Sequence, residues 1–176
     1  MKKIDSAKLA LKINGVAVTP GVNLHSSQWA GLRKSLSPKR IGMLEKRNLG
    51  ALWRETMYRI ENPTLAAFDE KVEFAPRIHQ FEPPPAAHLE ESLWRTSAII
   101  CFWEARLFRW IAQVAGYSQA AELFYQRAET KIEAEFGSPE STPKGLVWTP
   151  GPTEIMLNIG SAEAVLLLTH RPDRLA

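Results

Sequence analysis

Apolar and polar residues alternate near the start of the chain, and a period of two residues is typical of β-strands. Near the start, two such stretches flank Asn14-Gly15, a dipeptide that tolerates the positive φ angles of a tight type I′ turn. The pattern predicts a hairpin with strands at about residues 7–13 and 16–19. Near the end, residues 154–159 and 165–169 predict two further strands, and a shorter strand is expected at 146–149.

The last apolar run is ambiguous, because residues 161–170 also fit a helix when periodicity alone is considered. We favour strands here. An isolated hairpin is only marginally stable, so the N-terminal hairpin needs another strand or a packed helix. The N- and C-terminal strands are therefore expected to pair in one small antiparallel sheet.

A short helix is predicted after the hairpin. Ser26 or Ser27 can cap it, and Trp29, Leu32 and Leu36 then share one face at spacings of three and four.

Ser37-Pro38 predicts the start of a further helix, because proline is favoured at the first helical position. Apolar residues at helical spacing continue from there to about residue 61, with a break expected at Asn48 and Gly50. Asn62-Pro63 ends this pattern, because the residue before a proline disfavours the helical region.

The longest apolar pattern runs over residues 86–115, where two adjacent stripes recur at spacings of three and four. Two stripes predict a central helix that packs on more than one side. Gly116 ends it, and Ser118 caps a second amphipathic helix that ends at Gly137. The two helices are predicted to form an antiparallel hairpin.

The fold class expected from these elements is α+β, with the helical hairpin and the N-terminal helices packed against the small antiparallel sheet. At 176 residues the chain has the length of a single domain. Its predicted parts are a basic N-terminal part (1–61), a proline-rich connection (62–88), the helical hairpin (89–137) and the C-terminal strands (146–170).

Charge is unevenly distributed along the chain. Residues 1–60 hold 12 Lys and Arg against three acidic residues, a balance of +9, whereas the remainder carries −6 within the total of +3. Such a basic region can bind a polyanion, and it can equally be neutralised internally or across a contact between copies.

Four arginines in the basic region are spaced seven residues apart: Arg33, Arg40, Arg47 and Arg54. On a continuous helix seven residues make two turns with about 20° of drift, so the guanidinium groups would share one face. Neighbouring residues add the cations and stacking surfaces typical of nucleic-acid binders. They are Lys34, Lys39, Lys46, Trp29 and Trp53. The alternative is a solvated or internally paired helix face.

Sequence motifs for catalysis or cofactor binding are lacking. No glycine-rich phosphate loop or Gly-x-Ser-x-Gly segment is present, so no cofactor is predicted and an enzyme is unsupported. Cys101 lies in an apolar run and is expected to be a small buried residue. His79 and His88, with Glu82 and Glu91, offer metal-ligand types, but the spacing of three or four convergent ligands is missing, so no metal site is predicted.

Two apolar residues, Ile99 and Phe102, fall within the polar strip of the predicted central helix. Either the connection over residues 62–88 covers them, or they form part of a protein contact.

The sequence therefore favours a non-enzymatic nucleic-acid-binding or ribonucleoprotein accessory protein that uses a basic helical face. The alternative is a protein-interaction module, such as an inhibitor or assembly subunit, that meets an acidic protein surface or another copy of the chain. No signal peptide or membrane-spanning pattern is recognised, and a single cysteine fits a reducing compartment. We therefore expect a cytoplasmic protein without membrane contact.

Overall fold

The computed structural model describes residues 6–48, 51–67, 95–116 and 118–170. For residues 6–7, 42–48 and 51–54 it describes the backbone alone.

Within this part the chain is mostly sheet. A 3-10 turn, Ser6–Leu9, precedes the first strand, and two helices occur among the strands. In chain order the elements are β1 (Leu11–Ile13), β2 (Val16–Val18), α1 (Ser27–Leu36), β3 (Lys39–Asn48), β4 (Ala51–Glu61), β5 (Leu65–Ala67), β6 (Arg95–Trp103), β7 (Arg106–Ala115), α2 (Ser118–Phe136), β8 (Glu140–Thr142), β9 (Gly145–Trp148), β10 (Thr153–Ile159) and β11 (Glu163–His170).

Eight strands form one antiparallel sheet in the order β3-β4-β6-β7-β11-β10-β9-β8. Antiparallel neighbours need only short turns, and most of these strands follow one another directly along the chain. The order places β3 at one edge and β8 at the other. A smaller sheet pairs β2, β1 and β5.

Both described helices pack on the same face of the large sheet. Alternate residues of β6, β7, β10 and β11 point into this core, where Ile100, Trp110 and Leu166 are fully buried. Helix α2 contacts β7, β10 and β11 through residues such as Phe124 and Ile132, while α1 contributes the buried Trp29, Leu32 and Leu36. Residues of the small sheet join the same hydrophobic cluster.

Several local predictions are confirmed. The N-terminal hairpin turns at Asn14 and Gly15, whose φ angles are 51° and 79°. The short helix begins after its N-cap Ser26, and the helix predicted from Ser118 spans Ser118–Phe136. The C-terminal segment forms strands rather than a helix.

The predicted helix from Ser37-Pro38 to residue 61 is wrong, because this segment forms the paired strands β3 and β4. Asn48, where we expected a helix break, ends β3 and pairs with Ala51, whereas Gly50 lies outside the described part.

The predicted central helix over residues 86–115 is also wrong, and so is the helical hairpin over 89–137. Described residues 95–115 form β6 and β7, joined at Glu104. Both faces of these strands carry apolar residues, which hid the period of two and produced apparent stripes. Residues 86–94 lie outside the described part.

The α+β arrangement with a small terminal sheet is therefore incorrect. The N- and C-terminal strands do not pair, because β1 pairs with β2 and β5, whereas β10 and β11 belong to the large sheet. In the connection over 62–88, residues 65–67 form β5, and residues 68–88 are outside the described part.

Gly145 marks a close approach within the large sheet. It begins β9 with a φ of +118°, and a Cβ there would clash with the carbonyl oxygen of Leu157 in β10. Replacement of Gly145 by alanine should lower the free energy of unfolding by about 2 kcal/mol or more, because Gly145 in β9 and Leu157 in β10 both lie in paired strands.

Gly31→Ala is the matched control, because it lies on α1 with no atom within 4 Å of the added Cβ. Helix propensity predicts that this control gains up to about 1 kcal/mol. Urea unfolding followed by circular dichroism compares the two variants. A Gly145→Ala protein as stable as the wild type would contradict the close approach.

Candidate polyanion-binding surface

Helix α1 is fixed at both ends by local hydrogen bonds. At its start the Ser26 hydroxyl accepts a hydrogen bond from the Trp29 N–H at 3.2 Å and donates to the Asn23 carbonyl at 2.6 Å. At its end Ser37 adopts a left-handed conformation, and its N–H donates to the Arg33 carbonyl at 3.0 Å. These caps satisfy backbone groups at both ends of the helix, and its apolar face is buried.

The opposite side of α1 presents two exposed cations, Arg33 and Lys34, in the last helical turn. The negative end of the helix dipole favours positive charge at this position. The Arg33 guanidinium also lies 6.0 Å from the ring centroid of the buried Tyr58 in β4, a cation–π distance that orients it above the sheet.

Ser37 turns the chain directly into β3, whose first residues, Lys39 and Arg40, are exposed. Four cations are thus carried by eight consecutive residues at the junction of the helix and the strand. We name Arg33, Lys34, Lys39 and Arg40 the α1–β3 basic surface. It lies around the edge of the sheet: Arg40 pairs with Tyr58 on the face that carries α1, and Lys39 pairs with Arg59 on the second face.

A shallow depression of about 440 Å³ lies along α1 beside this surface. Its lining combines the two cations with both apolar and polar residues. The lining residues are Leu24, His25, Ser26, Trp29, Ala30, Arg33 and Lys34. An anionic group that contacts Arg33 and Lys34 would find room beside them.

Because of the strand order, the charge asymmetry of the sequence becomes a difference in charge between the two sides of the large sheet. Edge strand β3 carries four basic residues and one acidic residue. At the other side of the sheet, β8 to β11 carry three acidic residues and no Lys or Arg. Helix α2, which packs on that side, carries four acidic residues and two basic ones. Among the described elements, positive charge is therefore concentrated at the β3 edge and negative charge at the opposite side of the sheet.

The arginine spacing of seven does not describe a helix face. Arg33 lies on α1, Arg40 and Arg47 lie on β3, and Arg54 lies on β4. Lys46 pairs with Trp53 across the β3–β4 ladder, and Arg54 pairs with Glu45. The side chains of these residues at positions 46, 47, 53 and 54 are outside the described part.

Trp29 does not serve as an exposed stacking surface. Its side chain is 3% exposed and lies in an aromatic cluster, with ring centroids 5.1 Å from Tyr58 and 4.8 Å from Phe102. Phe102 belongs to the same cluster and is fully buried, so its side chain is not available for the predicted protein contact. Ile99 is half-buried on the second face of the sheet, away from the helices.

A second polar cluster, which sequence reasoning missed, lies on that second face. The Arg109 Nη1 is 3.9 Å from the Glu55 Oε1, and the Arg109 Nε donates to the Thr169 hydroxyl at 3.1 Å. The members come from β4, β7 and β11, so no local spacing could reveal them.

Cys101 belongs to the same region and is buried. Burial raises the pKa of its thiol to about 12, and the neighbouring Arg109 lowers it by less. The thiol therefore stays protonated near neutral pH. Among the described residues no three His, Cys, Asp or Glu side chains cluster as metal ligands, and His79, Glu82, His88 and Glu91 lie outside the described part.

No protein-family model matches the chain, and neither a curated protein nor a solved structure matches it at a significant level. Neither described helix combines the length and the apolar character that crossing a membrane requires. We therefore infer function from the residues of this chain alone.

Proposed function

We propose that this protein binds a polyanion, in the first place nucleic acid, through the α1–β3 basic surface. The observation that carries the proposal is the grouping of Arg33, Lys34, Lys39 and Arg40 as exposed cations at the basic side of a charge-polarised fold. Surfaces of this kind neutralise phosphates and release counterions, which supplies most of the affinity of sequence-independent binding.

The burial of Trp29 limits the mode of binding. With that ring inside the aromatic cluster, Arg33 and Lys34 have no stacking partner on α1. The described part of the surface is thus directed at phosphates, and contacts of that kind position a nucleic acid without reading its sequence. Binding should therefore depend weakly on base sequence and strongly on salt.

The experiment measures the fluorescence anisotropy of labelled single-stranded and double-stranded DNA and RNA. It compares the wild type with an Arg33→Gln, Lys34→Gln double variant. Glutamine removes both charges without placing carboxylates at the helix C-terminus, where they would destabilise the helix. The loss of two phosphate contacts should weaken binding tenfold or more at about 50 mM salt.

The matched control is a Lys12→Gln, Lys144→Gln double variant. It removes the same charge from exposed positions on β1 and in the β8–β9 turn, neither of which belongs to the basic surface. We expect its affinity to stay within about twofold of the wild type, since long-range charge effects are screened. Equal losses in both variants would mean that net charge, and not this surface, drives binding. The absence of binding to any of the four nucleic acids would exclude the proposal.

A further inference from the structure

The second face of the large sheet, opposite α1 and α2, carries a continuous row of half-buried apolar side chains. Each member is the cross-strand partner of the next, so the row runs straight across β6, β7, β11, β10 and β9. Its members are Ile99, Ile111, Leu167, Met156 and Val147. A contiguous apolar surface of this kind, half-exposed in the chain, marks an interaction site.

Polar residues flank the row on both sides. One flank includes Ser97 and Gln113, whose side chains are hydrogen-bonded at 3.1 Å, and the other includes Arg109 and Thr169. Ser97, Gln113 and Arg109 are partly exposed and give the row a polar margin, whereas Thr169 is buried.

A charged residue lies at each end of the row, and the two charges have opposite signs. On β4, Arg59 is the cross-strand partner of Ile99, and on β8, Glu140 is the partner of Val147. Both side chains are exposed, and neither forms an ion pair with another described residue.

We propose that two copies of the chain pack face to face through this row, around a two-fold axis parallel to the strands. Such an axis reverses the row, so Arg59 of one copy meets Glu140 of the partner subunit at both ends. A two-fold axis along the row would instead bring like charges together, which is unfavourable. Charge complementarity thus identifies a second copy as the occupant and selects its orientation.

The size of the face fits a modest dimer. Seven strands at about 4.8 Å and three rows at about 6.8 Å give a face of about 34 Å by 20 Å, or roughly 700 Å² per copy. Stable interfaces bury about 800 Å² per partner, so this one lies at their lower limit and the dimer should dissociate on dilution.

Sedimentation velocity over a series of protein concentrations tests the proposal. The wild type should shift from monomer to dimer as concentration rises, and Ile111→Lys should weaken the dimer at least tenfold by placing a charge at the centre of the row. Ile159→Lys is the matched control, because Ile159 is 36% exposed at the end of β10 and lies off the row. It should dimerise like the wild type.

A charge exchange tests the orientation. Arg59→Glu alone and Glu140→Arg alone should each weaken the dimer, because each creates two like-charged contacts. The double variant restores opposite charges at both ends and should recover the wild-type dimer. Failure of the double variant to recover would overturn the proposed axis.

Two results would overturn the dimer itself. One is a wild type that stays monomeric at all concentrations. The other is a large fall in the melting temperature of monomeric Ile111→Lys relative to Ile159→Lys, which would mean that the chain itself already covers the row.

Discussion

Replacement of Trp110 by alanine should lower the free energy of unfolding by about 3 to 5 kcal/mol. Trp110 lies in the middle of β7 and is the largest fully buried side chain among the described residues. It packs where α2, the large sheet and the small sheet meet in one hydrophobic cluster. The Trp110 Nε1 also donates to the Leu9 carbonyl at 2.8 Å, which ties the N-terminal turn to the sheet. Alanine removes both the ring volume and the hydrogen bond.

A Trp110→Phe variant separates these two contributions. Phenylalanine keeps much of the volume but leaves the Leu9 carbonyl without this donor, so we expect a smaller loss of about 1 to 3 kcal/mol. Urea unfolding followed by far-ultraviolet circular dichroism measures both variants. A loss below about 1 kcal/mol for Trp110→Ala would contradict the burial of this ring in the core.

Replacement of Arg109 by leucine should lower the free energy of unfolding by about 3 kcal/mol. The Glu55 side chain is only 6% exposed, and Arg109 supplies its one ion pair among the described residues. Leucine leaves the carboxylate buried without a cation, and it also removes the hydrogen bond to Thr169. An unpaired buried charge costs more than the pair itself contributes to stability.

A second substitution distinguishes the buried charge from lost packing. Adding Glu55→Leu to Arg109→Leu removes the carboxylate as well, so the double variant should recover at least half of the lost stability. Chemical denaturation at one pH and ionic strength measures the single and double variants. A double variant less stable than Arg109→Leu alone would show that packing, rather than the unpaired charge, is responsible.

Local signals predicted the elements whose residues match one secondary structure without ambiguity. Asn14-Gly15 supplies two positive φ angles for its turn, and Ser26 supplies a cap for α1. The second helix has one apolar face, so its period of 3.6 is clear. In each case the residue propensities, the hydrophobic pattern and the turn or cap residues indicate the same element.

The central strands could not be predicted in this way, because both of their faces carry apolar residues. In β6, Ile100 points into the core while its neighbour Ile99 lies on the second face, and both are strongly apolar. The turn between β6 and β7 includes Glu104 with a φ of 54°. A glutamate at such a position is unusual, so the sequence contains no hairpin signal there.

The candidate site was only partly predictable. Local charge identified Arg33 and Lys34, and the exposed cations at the start of β3 extend the same surface. The spacing of the four arginines depended on a helix that does not form. Trp29 was misassigned because its burial depends on Tyr58 and Phe102, which are distant in sequence. Tertiary contacts of this kind leave no local pattern.

The salt dependence of nucleic-acid affinity tests the polyanion-binding proposal most directly. If the four cations of the α1–β3 basic surface each contact a phosphate of duplex DNA, the logarithm of the binding constant should fall against the logarithm of salt concentration with a slope of about −3 to −4. The Arg33→Gln, Lys34→Gln variant should reduce that slope by about 2, and the Lys12→Gln, Lys144→Gln control should leave it unchanged. A slope near zero in the wild type, or an unchanged slope in the Arg33→Gln, Lys34→Gln variant, would contradict phosphate binding at this surface.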